Sequence, residues 1–291
     1  MGKFRLRGRR RRNRERRLQD RVPIRSMVPN LVTMSAACAG ITSITLAAGG
    51  KFVPAMVALV IACICDGIDG RIARALNVSS KLGAELDSLA DFVNFGVAPA
   101  MFMYFWLTGR QVGSSEVLVG DPRMVRAILG CALYYAMCDC FRLARFNTML
   151  EQPTLPYWKH FFTGVPAPGG CWMVLSPAIL TVAFGAKDMC PALRSVFQNP
   201  WFGMFMLLFV GTLMASRLPT ISLKSLHISR RYALVVWTFL LLVLVSLFIN
   251  LWMTLGVLGA LYILTVPVTG WIFVRVRAKY ERGLTSQVNK V

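Results

Sequence analysis

Four aspartates, Asp66, Asp69, Asp87 and Asp91, crowd into 26 residues of a chain that has only 13 acidic residues in 291. Asp66 and Asp69 are three apart and Asp87 and Asp91 four apart, so on helices each pair shares one face. Between the pairs, Asn77-Val78-Ser79-Ser80 is poor helix and good turn, with a serine placed to cap the helix that follows. Two antiparallel helices would then turn two carboxylates each toward one space. Like charges at that range repel, and beside apolar segments they are costly unless solvated or paired. A divalent cation removes the conflict, and an all-oxygen donor set favours Mg²⁺, Mn²⁺ or Ca²⁺ over zinc. The competing reading is a solvated cluster neutralised by Arg71, Arg74 and Lys81. That reading leaves the two matched spacings without a reason.

The elements that must carry these side chains are apolar. The chain is 56% hydrophobic with a mean hydropathy of +0.55, too apolar for a soluble domain of this length. Eight stretches read as membrane helices, at about 30–48, 53–75, 82–107, 124–146, 161–184, 201–217, 233–251 and 255–275. The expected fold is all-α and polytopic. The first aspartate pair ends the second helix and the second pair begins the third. Gly67, Gly70 and Gly83 lie beside them. Each costs a helix roughly 1 kcal/mol relative to alanine. Close approach of a ligand or of a neighbouring helix would explain that cost, and the sequence leaves both open.

The formal net charge of +20 is concentrated at the start. Lys3 and eleven arginines fall within residues 3–25, opposed by Glu15 and Asp20. Such a tail can bind RNA, but in a membrane protein it reads as a topology signal and a contact for anionic lipid. No nucleic-acid partner is expected. With the tail in the cytoplasm, 27 of the 33 basic residues lie on its side and six on the other. The tail is too long and too basic for a cleavable leader. The eight cysteines form two C-x-C pairs but no metal-binding set, and are read as small buried side chains. His160 and His227 are read as structural.

The motif spacing resembles a known family. Asp66-x2-Asp69-Gly70-x2-Ala73-Arg74-x8-Gly83-x3-Asp87-x3-Asp91 is similar to the signature of the CDP-alcohol phosphatidyltransferases. Within them, several segments resemble the bacterial integral-membrane branch that uses serine as acceptor. These are Pro29–Thr33, Ser88–Pro99, Phe141–Asn147, Gly164–Pro168 and Ser216–Lys224. Asn94 stands where that branch often carries serine. The resemblance implies a six-helix catalytic core and a divalent metal, Mg²⁺ or Mn²⁺. It also implies a homodimer and a site open to the cytoplasm of a bacterial inner membrane. Metal binding falls to Asp66, Asp69, Asp87 and Asp91, with Asp91 also the base that deprotonates the acceptor hydroxyl. CDP-diacylglycerol falls to Asn30, Thr33, Gly70, Ala73, Arg74, Ser80 and Gly83.

The expected acceptor is L-serine, and its carboxylate needs a cation. Arg142 and Arg145 are three apart at the cytoplasmic end of the fourth helix, with Asn147 beyond them. They are the acceptor candidates, although positive-inside placement alone accounts for either arginine. Lys159, Arg217 and Lys224 are weaker candidates. The expected organisation is a basic tail over 1–26, a catalytic membrane domain over 27–231, two further helices over 232–276 and a C-terminal tail over 277–291. Two rival functions remain: a family member with glycerol 3-phosphate, inositol phosphate or choline as acceptor, and an ion-coupled transporter. A transporter would spread its acids toward the bilayer midplane, whereas these four sit at one end.

Overall fold

The computed structural model describes residues 24–76, 78, 80–109, 119–149, 161–185, 191–216, 218–221 and 230–288. The arginine-rich tail up to residue 23, together with Asn77, Ser79, Lys159, His160, Cys190, Arg217, Lys224 and His227, lies outside the described residues. The helices are α1 Ile24–Ala48, α2 Phe52–Ala75, α3 Lys81–Asp91, α4 Ala98–Thr108, α5 Pro122–Met149, α6 Ala167–Gly185, α7 Pro191–Gln198, α8 Pro200–Ala215, α9 Arg230–Ile249 and α10 Leu251–Val288.

Local chemistry sets their ends. α1 and α2 form a hairpin through Gly49 and Gly50, the latter with φ 73°, where a side chain would be strained. The Ser80 hydroxyl caps α3 by accepting from the Gly83 N–H at 2.9 Å. α3 and α4 are one run joined by a π-helical turn, Phe92–Val97, in which the Ala98 N–H reaches back to the Val93 carbonyl. The run stops at Gly109, left-handed at φ 64°. Asn199 caps α8, which meets α7 at a 63° bend.

Each of the eight expected segments contains a helix, with one displaced start. The expected helix over 161–184 begins only at Ala167. Phe161–Thr163 instead forms a short strand, β1, paired antiparallel with β2, Pro219–Ile221, with Phe162 opposite Thr220. Gly164, at φ 81°, turns the chain from strand to helix, and its N–H donates to the Leu218 carbonyl at 2.8 Å.

Among the described residues, five helices are long and apolar enough to cross a membrane, or six if the bent α7–α8 pair is one span. The expected eight exceeds this for two reasons. The α3–α4 run carries Lys81, Glu85, Asp87 and Asp91 in its first half, and the apolar part of α9, Leu234–Ile249, is short. The protein is an all-α polytopic membrane protein.

The core inverts the pattern of the surface only weakly, as befits lipid surroundings. Phe95, Phe102, Tyr135, Met173, Ile179, Leu207 and Met214 are fully buried, while Trp201, Trp237 and Phe248 are strongly exposed. α6 is the inner helix, with 78% of its apolar window buried. α10 lies along it at glycine distance: a Cβ on Gly259 would come 2.6 Å from the Trp172 carbonyl oxygen. The cysteines depart from expectation. Cys138 and Cys171 are buried, but Cys38 and Cys140 are exposed, and all those described are free thiols. An apolar solvent removes the reason to hide a thiol.

Candidate active site

The end of α2 and the start of α3 bring three of the four motif carboxylates together. One oxygen from each of Asp66, Asp69 and Asp87 lies within 4.8 Å of the others. Asp69 is buried and rigidly held: Thr33 of α1 donates to Oδ2 at 2.6 Å, and the Gly70 N–H donates to Oδ1 at 2.5 Å. Asp66 is half-buried and Asp87 exposed, so the cluster has a fixed floor and an open side. Its donor set is entirely oxygen, which fits a hard divalent cation.

Asp91 stands one helical turn further in and is not part of that triad. Its carboxyl group lies against that of Asp66 and within electrostatic reach of Asp87 and Asp139. Its Oδ1 is buried and has no hydrogen-bond partner among the described residues.

Beside the triad is an open cleft between α1, α2 and α3. Asn30, Thr33, Asp69, Gly70, Ala73, Ser80, Gly83 and Asp87 are among its lining residues. The two glycine explanations separate here. Nothing lies within 4 Å of a Cβ added to Gly70, so that glycine faces open cleft. A Cβ on Gly83 would come 3.0 Å from Asn30 Oδ1 and 3.1 Å from Ser80 Oγ, so that glycine lets α3 approach α1. Arg74 is exposed, and its Nε donates to the Gly70 carbonyl at 3.0 Å. It stands over the cleft's glycine edge but is absent from the lining.

The arginines of α5 differ. Arg145 donates to the Ala215 and Ser216 carbonyls, both at 2.8 Å. It thereby ties α5 to the C-terminal end of α8, whose last carbonyls need donors. Asn147 donates to Ser88 Oγ at 3.0 Å, linking α5 to α3. Arg142 points to the aspartates: its guanidinium lies within electrostatic reach of Asp91, Asp139 and Tyr262. So Arg142 and Asp91 share a neighbourhood, whereas Arg145 and Asn147 make interhelical bonds.

Sequence reading missed Asp139. It is fully buried on α5, one helical turn before Arg142, with its Oδ1 4.0 Å from the guanidinium. Neither carboxylate oxygen has a hydrogen-bond partner among the described residues. The available signal was an acid inside the apolar run of a membrane helix, a placement that usually marks function. Asn94, in the π turn, is similarly buried and has no partner for either side-chain polar atom.

Residues 26–208 match the family model described as CDP-alcohol phosphatidyltransferase. A Mycobacterium leprae protein named CDP-diacylglycerol–serine O-phosphatidyltransferase is 32% identical over 243 residues, 83% of this chain and 73% of that protein. Proteins of the same name from Helicobacter pylori J99 and Mycobacterium tuberculosis H37Rv are 31% and 34% identical. The matches cover 88% and 71% of this chain; the chain spans 96% of the Helicobacter protein but only 65% of the tuberculosis one. Matched along most of its length, the chain belongs to the CDP-alcohol phosphatidyltransferase family.

Proposed function

We propose that the protein transfers the phosphatidyl group of CDP-diacylglycerol to the hydroxyl of L-serine, releasing CMP. The observation that carries this reading is the position of Asp91. It touches the carboxylate triad through Asp66 and is within electrostatic reach of Asp139 and, through it, of the Arg142 cation. A base must reach the proton of the nucleophile while that oxygen faces the electrophile, and Asp91 adjoins both neighbourhoods.

Asp66, Asp69 and Asp87 would hold Mg²⁺ or Mn²⁺, with Asp91 completing the set. A bound divalent cation screens the diphosphate charge and stabilises departing CMP. The chain's own residues do the rest. Asn30, Thr33, Ala73, Ser80 and Gly83 form the nucleotide cleft, with Gly70 its open wall and Arg74 a partner for diphosphate. Asp91 accepts the proton of the serine hydroxyl, whose oxygen forms a bond to the lipid-bearing phosphorus. The bond from that phosphorus to the bridging oxygen breaks, and CMP leaves with the electron pair. Arg142 receives the serine carboxylate; Arg145 and Asn147 hold α5 against α8 and α3, which fixes where Arg142 stands.

The reading assigns catalysis to residues 27–231, with residues 232–276 as additional helices and 277–291 as a terminal tail. The site and the arginine-rich tail face the cytoplasm of a bacterial inner membrane, where the tail meets anionic lipid, and the enzyme works as a homodimer.

The deciding experiment offers purified protein CDP-diacylglycerol with each candidate acceptor and measures CMP. L-serine should support release, whereas glycerol 3-phosphate, inositol phosphate and choline should not. Release with a phosphorylated acceptor but not with serine would overturn the assignment. A second expectation concerns the cleft. Gly70→Val places a branched side chain in the open space and should raise the CDP-diacylglycerol KM about tenfold or more, corresponding to about 1.4 kcal/mol of binding. Thermal stability should fall little, because no neighbour is displaced. An unchanged KM would mean that the lipid nucleotide lies elsewhere.

A further inference from the structure

Asp139, Arg142 and Asp91 are three polar groups within electrostatic reach of one another, and every one has at least one buried polar atom without a hydrogen-bond partner among the described residues. Such groups are normally satisfied, because each unpaired one costs free energy. Asp139 is the extreme case, fully buried with both oxygens unpartnered. Arg142 forms an ion pair with it at 4.0 Å, too long for a hydrogen bond, and its side chain is 13% exposed. The pair therefore does not close on itself. It presents a negative group inside and a positive group nearer the surface, each with unused hydrogen-bonding capacity.

We propose that Asp139 is an acceptor-binding residue that recognises the α-ammonium group of an amino-acid acceptor. The inference rests on the serine-transfer reading above and extends it to a residue with no role there. A zwitterionic α-amino acid carries opposite charges on groups attached to one carbon. Two opposite protein charges a few ångströms apart, not hydrogen-bonded to each other, are the complementary pattern. The ammonium donates to Asp139 and the carboxylate accepts from Arg142, so each buried charge gains a charge-assisted bond. The serine side chain then extends toward Asp91, the remaining group of the cluster.

The same arrangement selects against the acceptors of related chemistry. Glycerol 3-phosphate and inositol phosphate carry two negative charges and no ammonium, so they leave Asp139 without a hydrogen-bond donor and bring like charge toward it. Choline and ethanolamine lack the carboxylate and leave Arg142 without a hydrogen-bond acceptor. A site built to bond a polar group discriminates strongly against the analogue that lacks it. Gly96 of the π turn is part of the construction. A Cβ there would come 2.8 Å from Asp139 Oδ2, so a side chain at this position would press on the carboxylate.

The test compares L-serine with 3-hydroxypropionate, which is serine without its amino group, as acceptors for the full-length enzyme supplied with CDP-diacylglycerol and Mg²⁺ or Mn²⁺. In the wild type, kcat/KM for serine should exceed that for 3-hydroxypropionate by about 10- to 100-fold, the scale of a charged hydrogen bond. In Asp139→Asn, serine should lose most of that advantage through KM. 3-Hydroxypropionate and the CDP-diacylglycerol KM should change little, so the ratio falls toward one. A merely structural Asp139 would lower both acceptors equally and keep the ratio, which overturns the proposal. Equal use of both acceptors by the wild type also overturns it, and that result does not depend on the variant folding. Wild type that releases CMP with neither acceptor, but does so with a phosphorylated one, overturns the serine reading itself. Serine use with an unaltered ratio in Asp139→Asn leaves that reading standing and removes only the role of Asp139.

Discussion

Asp91→Asn is expected to lower turnover by about 10²-fold or more, the usual loss on removing a general base, while CDP-diacylglycerol still binds. The substitution keeps the size of the side chain, so the π turn and the packing of α3 on α1 are undisturbed. What disappears is the acceptor for the serine proton. Asp91 is suited to that task because its Oδ1 is buried and unpartnered and its neighbours lie on both sides of the reaction. Asp66 and Asp139 are both among those neighbours, and the proposed reading puts the first on the phosphate side and the second on the acceptor side. The measurement follows CMP release and CDP-lipid binding separately. Normal turnover in Asp91→Asn would take the base role from this residue, and lost lipid binding would make it chiefly a ligand.

Chelation should have the other large effect. EDTA is expected to reduce CMP release to background, and Mg²⁺ or Mn²⁺ to restore it. Three carboxylate oxygens within 4.8 Å have strong mutual repulsion, and among the described residues no cation forms an ion pair with them. The prediction extends to single residues. Asp69→Asn should raise the metal concentration for half-maximal activity by about 10- to 100-fold, the scale seen when a metal site loses a supporting interaction. Excess metal should partly rescue it. The reason is specific: Asp69 is held by Thr33 and the Gly70 N–H, so it supplies the most rigid oxygens of the triad. Asp91→Asn should not be rescued. If the pattern were reversed, the base and ligand assignments would have to be exchanged, and full activity after exhaustive chelation would remove the metal altogether.

How far the sequence spoke for the structure depended on the range of the interaction. The α2–α3 motif was legible because its spacing is local: three- and four-residue intervals place side chains on a helix face wherever the helix lies. The cap at Ser80 was legible for the same reason. Eight apolar stretches gave eight helical segments, since backbone groups in hydrocarbon must bond within their own segment. Their number as full spans was not legible, because length and apolarity are spoiled by the polar half of α3 and the shortness of apolar α9. The strand at Phe161–Thr163 was hidden because its partner, Pro219–Ile221, is 58 residues away in register. Arg142 and Arg145 looked equivalent in sequence. Only packing distinguishes them, since the Ala215 and Ser216 carbonyls engage Arg145 and leave Arg142 to the aspartates. Asp139 escaped notice because a single acid in an apolar run has no spacing to betray it; its burial is a property of the assembled helices.

The π turn at Phe92–Val97 gives the α3–α4 run one residue more than a regular helix would hold over the same rise. The carbonyl of Phe95 inside it is bonded by the buried hydroxyl of Tyr135 at 2.9 Å, so α5 stabilises the surplus. Its consequence is a phase offset. An uninterrupted helix would lock the azimuth of the aspartate-bearing half to that of the apolar half, 100° for each residue along the chain. The surplus residue uncouples them: one half can be rotated to suit phosphate chemistry while the other keeps its own alignment with the neighbouring helices. The run behaves as two shafts joined by a keyed coupling, with Tyr135 as the key. A chain shortened by one residue there would keep every motif letter and yet turn its acids about a quarter of a revolution away from the residues they must meet.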